Sequence, residues 1–149
     1  MIVYRITLAK HADKLIASGY AARWNSKDVK IIYTAETRAL ACLENVVHRN
    51  SRGLQENFRI ILIEIPRNVH IEIINRDDLP TDWRKFSKMP FTQNIGNEWV
   101  KSAKSAVLKI PSVIIPEEHN YLINPAHSDF KHIKHLAQEQ FEFDPRLEM

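Results

Sequence analysis

Lys30 to His48 read KIIYTAETRALACLENVVH. The run VKIIY (29–33) has the apolar density of a strand. From about Ala35 the apolar residues recur every three or four positions, which predicts a helix reaching His48. Thr34 is its expected N-cap, and Glu36 then falls in the first turn, where a negative charge suits the helix dipole. Glu44 sits on the shoulder of the apolar stripe, one turn after Leu40 and beside Leu43 and Val47. A carboxylate there is either a long side chain reaching out from the rim, paired with His48 at i+4, or a group set into a dry cleft wall.

Outward from this stretch, short strands alternate with short helices. VYRIT (3–7) opens the chain as a strand, HADKLIAS (11–18) follows as a short helix or turn, and GYAARWNSKD (19–28) is a loop. SRGLQEN (51–57) closes the helix, with Gly53 as terminator. FRIILIEIP (58–66) is almost continuously apolar, so both its faces should be covered. NVHIEII (68–74) alternates as a strand. PTDWRKF (80–86) and IGNEWVKSAK (95–104) read as helical. SAVLKIPSVIIP (105–116) is a strand broken at Pro111, which cannot donate to a ladder, and then a strand again. NYLINP (120–125) is a strand, SDFKHIKHLAQ (128–138) helical, and FEFDPRL (141–147) a strand or extended tail. Strands without regular βαβ spacing predict an α+β fold on a mixed or antiparallel sheet with short helices.

The chain has 149 residues, which suits one domain over 1–149 and is enough to bury roughly two-thirds of its unfolded surface. Twenty-one basic against 18 acidic residues give +3, compatible with an anionic ligand without requiring nucleic acid. The single cysteine, Cys42, excludes an internal disulfide and a cysteine-built zinc site, so a reducing cytoplasm is expected. No apolar run approaches the ~20 residues of a membrane span. The N-terminal residues alternate polar and apolar from the start and read as mature structure. Three scattered glycines build neither a dinucleotide fingerprint nor a P-loop, and no G-x-S-x-G elbow is present. His132 and His135, spaced i, i+3 on the expected helix, and His127 read as a solvated basic face rather than a metal site.

Four polar residues stand out. Arg23, in AARWNS, is either a surface arginine stacked on Trp24 or a fork for a phosphate or carboxylate. Tyr33, ending its strand at the mouth of the helix, is a core aromatic or a ring that stacks on a planar ligand. Glu44 has the two readings given above. Ser112, in IPSVIIP, is a strand serine beside a proline bulge or a small hydroxyl lining a cleft.

ARWNS (22–26), IIYTAETRALACLE (31–44), WVKSAKSAVLKIPSVIIPEEHNYLINPAHSDF (99–130) and FDPRL (143–147), in this order over essentially the whole chain, resemble the RES-domain family. Its members are toxins of RES–Xre type II toxin–antitoxin systems. The family is named for an arginine, a glutamate and a serine, which fall on Arg23, Glu44 and Ser112, with Tyr33 as a fourth family position. The family's glycine before the arginine motif has no local counterpart, since the chain reads YAARW with Gly19 further upstream. The resemblance implies a fold like the ADP-ribosyltransferases and consumption of NAD as substrate, without a metal. It implies cleavage of the nicotinamide–ribose bond, by hydrolysis, by phosphorolysis, or with transfer of ADP-ribose to a protein. In that setting Glu44 would stabilise the oxocarbenium-like state through a ribose hydroxyl. Arg23 would hold phosphate, Tyr33 would stack on nicotinamide or its ribose, and Ser112 would position either group. Asn120 and Asn124 are further candidates for the cleft.

The resemblance also implies a helix-turn-helix, Xre-type antitoxin that covers the entrance and alone contacts DNA, within a hetero-oligomer. Two other function classes stay open at this point. A basic RNA-cleaving toxin would use a histidine as acid or base. A non-catalytic module would bind NAD without turning it over.

Overall fold

A computed structural model describes residues 1–148; residue 149, the last of the expected domain, lies outside the described residues. Strands β1 (Ile2–Leu8) and β2 (Ile32–Ala35) precede helix α1 (Arg38–His48). Strands β3 (Phe58–Glu64) and β4 (Ile71–Ile73) precede α2 (Met89–Ser102), and β5 (Val107–Pro111), β6 (His119–Ile123) and β7 (Lys134–Phe141) complete the order. All seven strands join one sheet in the order β4-β5-β6-β2-β1-β3-β7. Only β4 and β5 run parallel; every other pair is antiparallel. The fold is α+β on a mixed sheet, as the sequence predicts.

The register defines one row of side chains on the helix-covered face. Ile110, Asn120, Ala35, Tyr4 and Leu62 are consecutive cross-strand partners, and paired residues point to the same side. At one end Ile110 joins Leu108, Leu122 and Trp99 of α2 in an apolar cluster that also holds Trp24 and Trp83. At the other, Tyr4, Leu62 and Ala35 pack with Leu40, Ala41 and Val46 of α1. Asn120 is the polar member between two apolar clusters, each under its own helix. A third cluster, with Val3, Ile32, Ile61, Ile63, Val107 and Ile123, fills the opposite face. β3 contributes to both faces, which explains its nearly unbroken apolar run.

Several boundaries differ from the sequence reading. Thr34 and Ala35 remain in β2, paired with Tyr121 and Asn120. The helix N-cap is therefore Thr37, whose side chain accepts from the Leu40 N–H at 3.0 Å, and Glu36 precedes the helix. The helix ends at His48, as expected, with Arg49 as its C-cap, but Asn50 and Ser51, both at positive φ, turn the chain before Gly53. α2 begins at Met89 rather than Ile95, and residues 80–86 form turns instead of a helix. No strand resumes after Pro111, because Ser112 turns the chain. Residues 128–138 are not one helix: a short 3-10 turn, Ser128–His132, leads into β7, the edge strand against β3. His132 and His135 therefore share no helix face. His127 Nδ1 accepts from the Asp129 N–H, and His135 bonds the Ala12 carbonyl at 2.7 Å. Among the described residues, no group of three or more histidine, cysteine, aspartate or glutamate side chains is arranged to hold a metal ion, and no helix is long and apolar enough to cross a membrane.

Gly96 fixes how α2 meets the loop before β2. A Cβ at Gly96 would lie 1.7 Å from the Trp24 carbonyl oxygen and 2.8 Å from its carbon. Backbone cannot yield as a flexible side chain can. Gly96→Ala should therefore destabilise the fold by about 2 kcal/mol or more, the overpacking cost exceeding the ~1 kcal/mol gained in helix propensity. Urea unfolding checks this, and a variant more stable than the parent would show that the contact relaxes freely.

Candidate functional site

The buried face of α1 is rotated from the one its sequence suggests. Leu40, Ala41 and Val46 are buried while Val47 is half exposed. Glu44, one turn on from Leu40 and Ala41, is thereby carried inward instead of resting on a shoulder. Its partner is Ser112 and not His48: the Ser112 hydroxyl lies 2.9 Å from Glu44 Oε1.

The direction of that bond is fixed by what else the serine does. Ser112 Oγ accepts the N–H of Ile114 at 3.0 Å and of Ile115 at 3.1 Å. A hydroxyl has two acceptor positions and one hydrogen. With both acceptor positions filled, the hydrogen is left for Glu44, whose Oε1 must accept. Ser112 itself is fully buried. Burial raises the Glu44 pKa above the usual glutamate value, while hydrogen bonding by Ser112 and Asn120 pulls it down. Asn120 also donates its side-chain N–H to the Thr34 carbonyl at 3.2 Å, which ties it to β2.

Tyr33 performs the corresponding task for the arginine loop. Its hydroxyl accepts the Trp24 N–H at 3.1 Å and donates to Asn25 Oδ1. Burial pushes its pKa far above the ordinary tyrosine value, so it remains a neutral phenol. Asn25, buried, directs its amide N–H groups to the carbonyls of Tyr20, Ser26 and Val29. Residues 22 and 25 bridge each other, leaving Arg23 and Trp24 at the tip of a tight turn. From α2, Thr92 Oγ1 donates to the Arg23 carbonyl at 2.6 Å and Gln93 to the Ala22 carbonyl at 2.9 Å.

Arg23 does not stack on Trp24, whose ring is buried and tilted against Trp83 at 6.1 Å. Its guanidinium reaches the carbonyls of Lys85 at 3.3 Å and Arg84 at 3.4 Å. Partial burial lowers its pKa. No carboxylate lies within ion-pair distance of it among the described residues. Arg5, on β1, donates to the Tyr33 carbonyl at 2.9 Å and is likewise without a carboxylate partner.

Of the residues singled out from sequence, Glu44, Ser112 and Asn120 form one group, and Arg23 and Tyr33 share a second. Asn124 joins neither. It follows the far end of β6, about 13 Å from Asn120 at ~3.3 Å per residue. There it lines a separate open hollow of about 710 Å³ with Asp28, Lys30, Asn97 and Lys101. Sequence reasoning missed Asn25, Thr92, Gln93 and Arg84. The available signal was weak: Arg84 stands beside a tryptophan in DWRK, as Arg23 does in ARWN.

A family model described as RES domain matches residues 2–144. The chain is 43% identical over 141 residues to the Prs ADP-ribosylating toxin of Sphingobium sp. (strain YBL2), covering 91% of this chain and 88% of the relative. It is 36% identical over 152 residues to Toxin Res of Yersinia enterocolitica serotype O:8 / biotype 1B (strain NCTC 13174 / 8081), covering 99% of each. The crystal structure of the M. tuberculosis MbcT–MbcA toxin–antitoxin complex contains a chain with the same fold. The two superpose with a TM-score of 0.79 at 15% identity, covering 95% of this chain and 84% of that one.

Ser112→Ala removes the acceptor for two N–H groups and the donor to Glu44. Stability should fall by ~1–3 kcal/mol. The Glu44 titration midpoint should rise, because burial then acts with less opposition. Carboxyl-detected NMR titration checks the shift, and an unmoved or lowered midpoint would contradict the direction of the bond.

Proposed function

This chain belongs to the RES domain family, and on that premise we propose that it is a toxin that consumes NAD by cleaving the bond between nicotinamide and ribose. The observation that carries the reading is the Glu44 carboxylate, held as an acceptor by a buried serine in a partly dry wall. In NAD the nicotinamide nitrogen is cationic. When the C1′–N bond breaks, its electron pair leaves with nicotinamide and positive charge develops on the ribose. A carboxylate that hydrogen-bonds a ribose hydroxyl stabilises that charge more than it stabilises the ground state. Low local polarity strengthens the effect.

The other groups supply binding. Arg23 has two donors aimed at carbonyls and no carboxylate partner, which suits exchange onto a phosphate of the dinucleotide. Tyr33, with its hydroxyl engaged, offers only its ring, for stacking on nicotinamide or its ribose. Asn120 lies beside Glu44 to orient the ribose. Attack at C1′ by the acceptor oxygen, with loss of its proton to solvent, completes the reaction. Water as acceptor gives ADP-ribose and makes the enzyme a glycohydrolase. Phosphate makes it a phosphorylase. A protein side chain makes it an ADP-ribosyltransferase, the reading that the name of the Sphingobium relative favours. The toxin acts in the cytoplasm, where NAD is abundant. A cognate antitoxin, of the Xre-type helix-turn-helix class and the only part of the assembly to touch DNA, neutralises it. The toxin–antitoxin complex that contains the same fold supports such a partner.

Purified protein incubated with NAD, with and without phosphate, should release nicotinamide. Chromatography and mass spectrometry of the ribose-side product identify the acceptor. Intact NAD accompanied by cut RNA would instead establish a ribonuclease. Glu44→Gln should lower nicotinamide release on the order of a hundredfold or more. The fold should be at least as stable as the parent at pH 7. Burial raises the folded pKa of Glu44, so its proton is bound more tightly in the folded chain. The associated stability is fully present below the unfolded value of about 4.3 and is lost as pH rises through the folded value. Glutamine does not titrate and avoids that loss. Parental turnover by Glu44→Gln would remove the glutamate from the mechanism.

A further inference from the structure

Arg84 lies on the segment between β4 and α2, exposed and without a carboxylate partner among the described residues. Its side chain nevertheless has defined partners. Nε donates to the Val113 carbonyl at 2.7 Å and Nη2 to the Ile114 carbonyl at 3.1 Å. These two carbonyls belong to the turn that begins at Ser112. The N–H groups of Ile114 and Ile115 in the same turn fill the acceptor positions of the Ser112 hydroxyl. The guanidinium thus grips the outer side of a turn whose inner side sets the direction of the serine hydrogen.

The main chain of the same residue faces the arginine loop. The Arg84 carbonyl accepts from Arg23 Nη2, and the Lys85 carbonyl accepts from Arg23 Nη1. The preceding residue, Trp83, is buried against Trp24, the neighbour of Arg23. Residues 83–85 therefore strap the Arg23 loop to the Ser112 turn: the packing of Trp83 on Trp24 holds one side even when the guanidinium changes partners, and the Arg84 side chain holds the other. A fork with two donors on consecutive carbonyls fixes distance and angle together, which a single point charge does not.

We propose that Arg84 is a positioning residue: it holds the Ser112 turn in the shape that keeps the serine a donor to Glu44, and registers that pair against Arg23. This inference rests on the NAD-cleaving reading for its kinetic consequence but not for its structural one. Arg84→Ala should lower kcat for nicotinamide release roughly tenfold or more, within the ~100-fold that a 1 Å misplacement can cost, with a smaller change in KM. The acid limb of the kcat/KM profile should move to higher pH, because a slack serine favours ionised Glu44 less. The melting temperature at pH 7 should fall only slightly, since the side chain is exposed and the raised Glu44 midpoint costs a little stability at that pH. Arg84→Lys, with a point charge in place of the fork, should recover part of the rate.

The Glu44 carboxyl titration, followed by NMR without substrate, should show a higher midpoint in Arg84→Ala than in the parent. That readout needs no turnover. A parent that leaves NAD intact would overturn the functional reading, while the titration would still decide the role of Arg84. An unmoved midpoint in Arg84→Ala would overturn the positioning role. It would do so whether kcat were parental or had fallen together with the melting temperature.

Discussion

One hydroxyl sets the state of the whole site. Ser112 Oγ receives two backbone N–H groups and has a single hydrogen left, so Glu44 must accept it. The arrangement favours the ionised form by geometry, against the larger effect of burial, which raises the pKa. A hydroxyl free to rotate could equally accept from a protonated Glu44, and burial would then favour the neutral acid. The turn after Pro111 removes that freedom. Its direction of pull opposes the direction of burial, and the site depends on this opposition. A carboxylate that is poorly solvated yet held as an acceptor is prepared to interact with a positive centre that water would otherwise screen.

The sheet register sets Asn120, beside this pair, at the seam between two packed halves of one face. α1 and α2 cover the same face at different strands, each with its own apolar cluster. Asn120 lies in the row between them, and Ala35 beside it adds little bulk. The arginine loop borders the α2 side. Gly96 allows its backbone to sit on the helix, and Thr92 and Gln93 anchor its carbonyls. Tyr33 links this loop back to β2, so strand, helix and loop constrain one another. Such agreement among levels is what lets a sequence tolerate local violations, here a half-buried carboxylate and a half-buried arginine, Arg23, without a carboxylate partner among the described residues.

The parts legible in the sequence were those with local signals. The alternation of β1, the unbroken apolar run of β3 and the amphipathic stripe of α1 each carry their own periodicity. The inward rotation of Glu44 was only half legible, because the stripe through Leu43 and Val47 looked as strong as the one through Leu40 and Ala41. β7 was missed because it is an edge strand with mostly exposed side chains, so pairing with β3 determines its conformation more than composition does. Thr34 looked like a cap because it is a threonine before a helical pattern. Its pairing with Tyr121 keeps it extended, and Thr37 serves instead. Arg23, Tyr33, Glu44 and Ser112 stood out locally with two readings each, and the family resemblance chose between them. The residues that organise them had no such signal. Asn25 gathers carbonyls of its own loop, Thr92 meets a carbonyl 69 residues earlier, and Arg84 meets its carbonyls 29 and 30 residues further along.

The contacts of Arg23 differ in kind from those of Ser112. Its two hydrogen bonds, at 3.3 and 3.4 Å, lie beyond the preferred range for N–H···O, and both go to neutral carbonyls. Charge-assisted bonds to an anion are shorter and about twice as strong. On the proposed reading an arriving phosphate would gain more than the carbonyls lose, and the guanidinium would exchange partners at small cost. Ser112 has no comparable freedom, since moving its hydroxyl strands two N–H groups in a buried turn. On the proposed reading, binding falls to the group that can release its partners, and charge stabilisation to Glu44, held by the group that cannot. The anchoring of the arginine loop through its backbone rather than through the arginine side chain fits that division, since the loop would stay in place while the guanidinium changed hands.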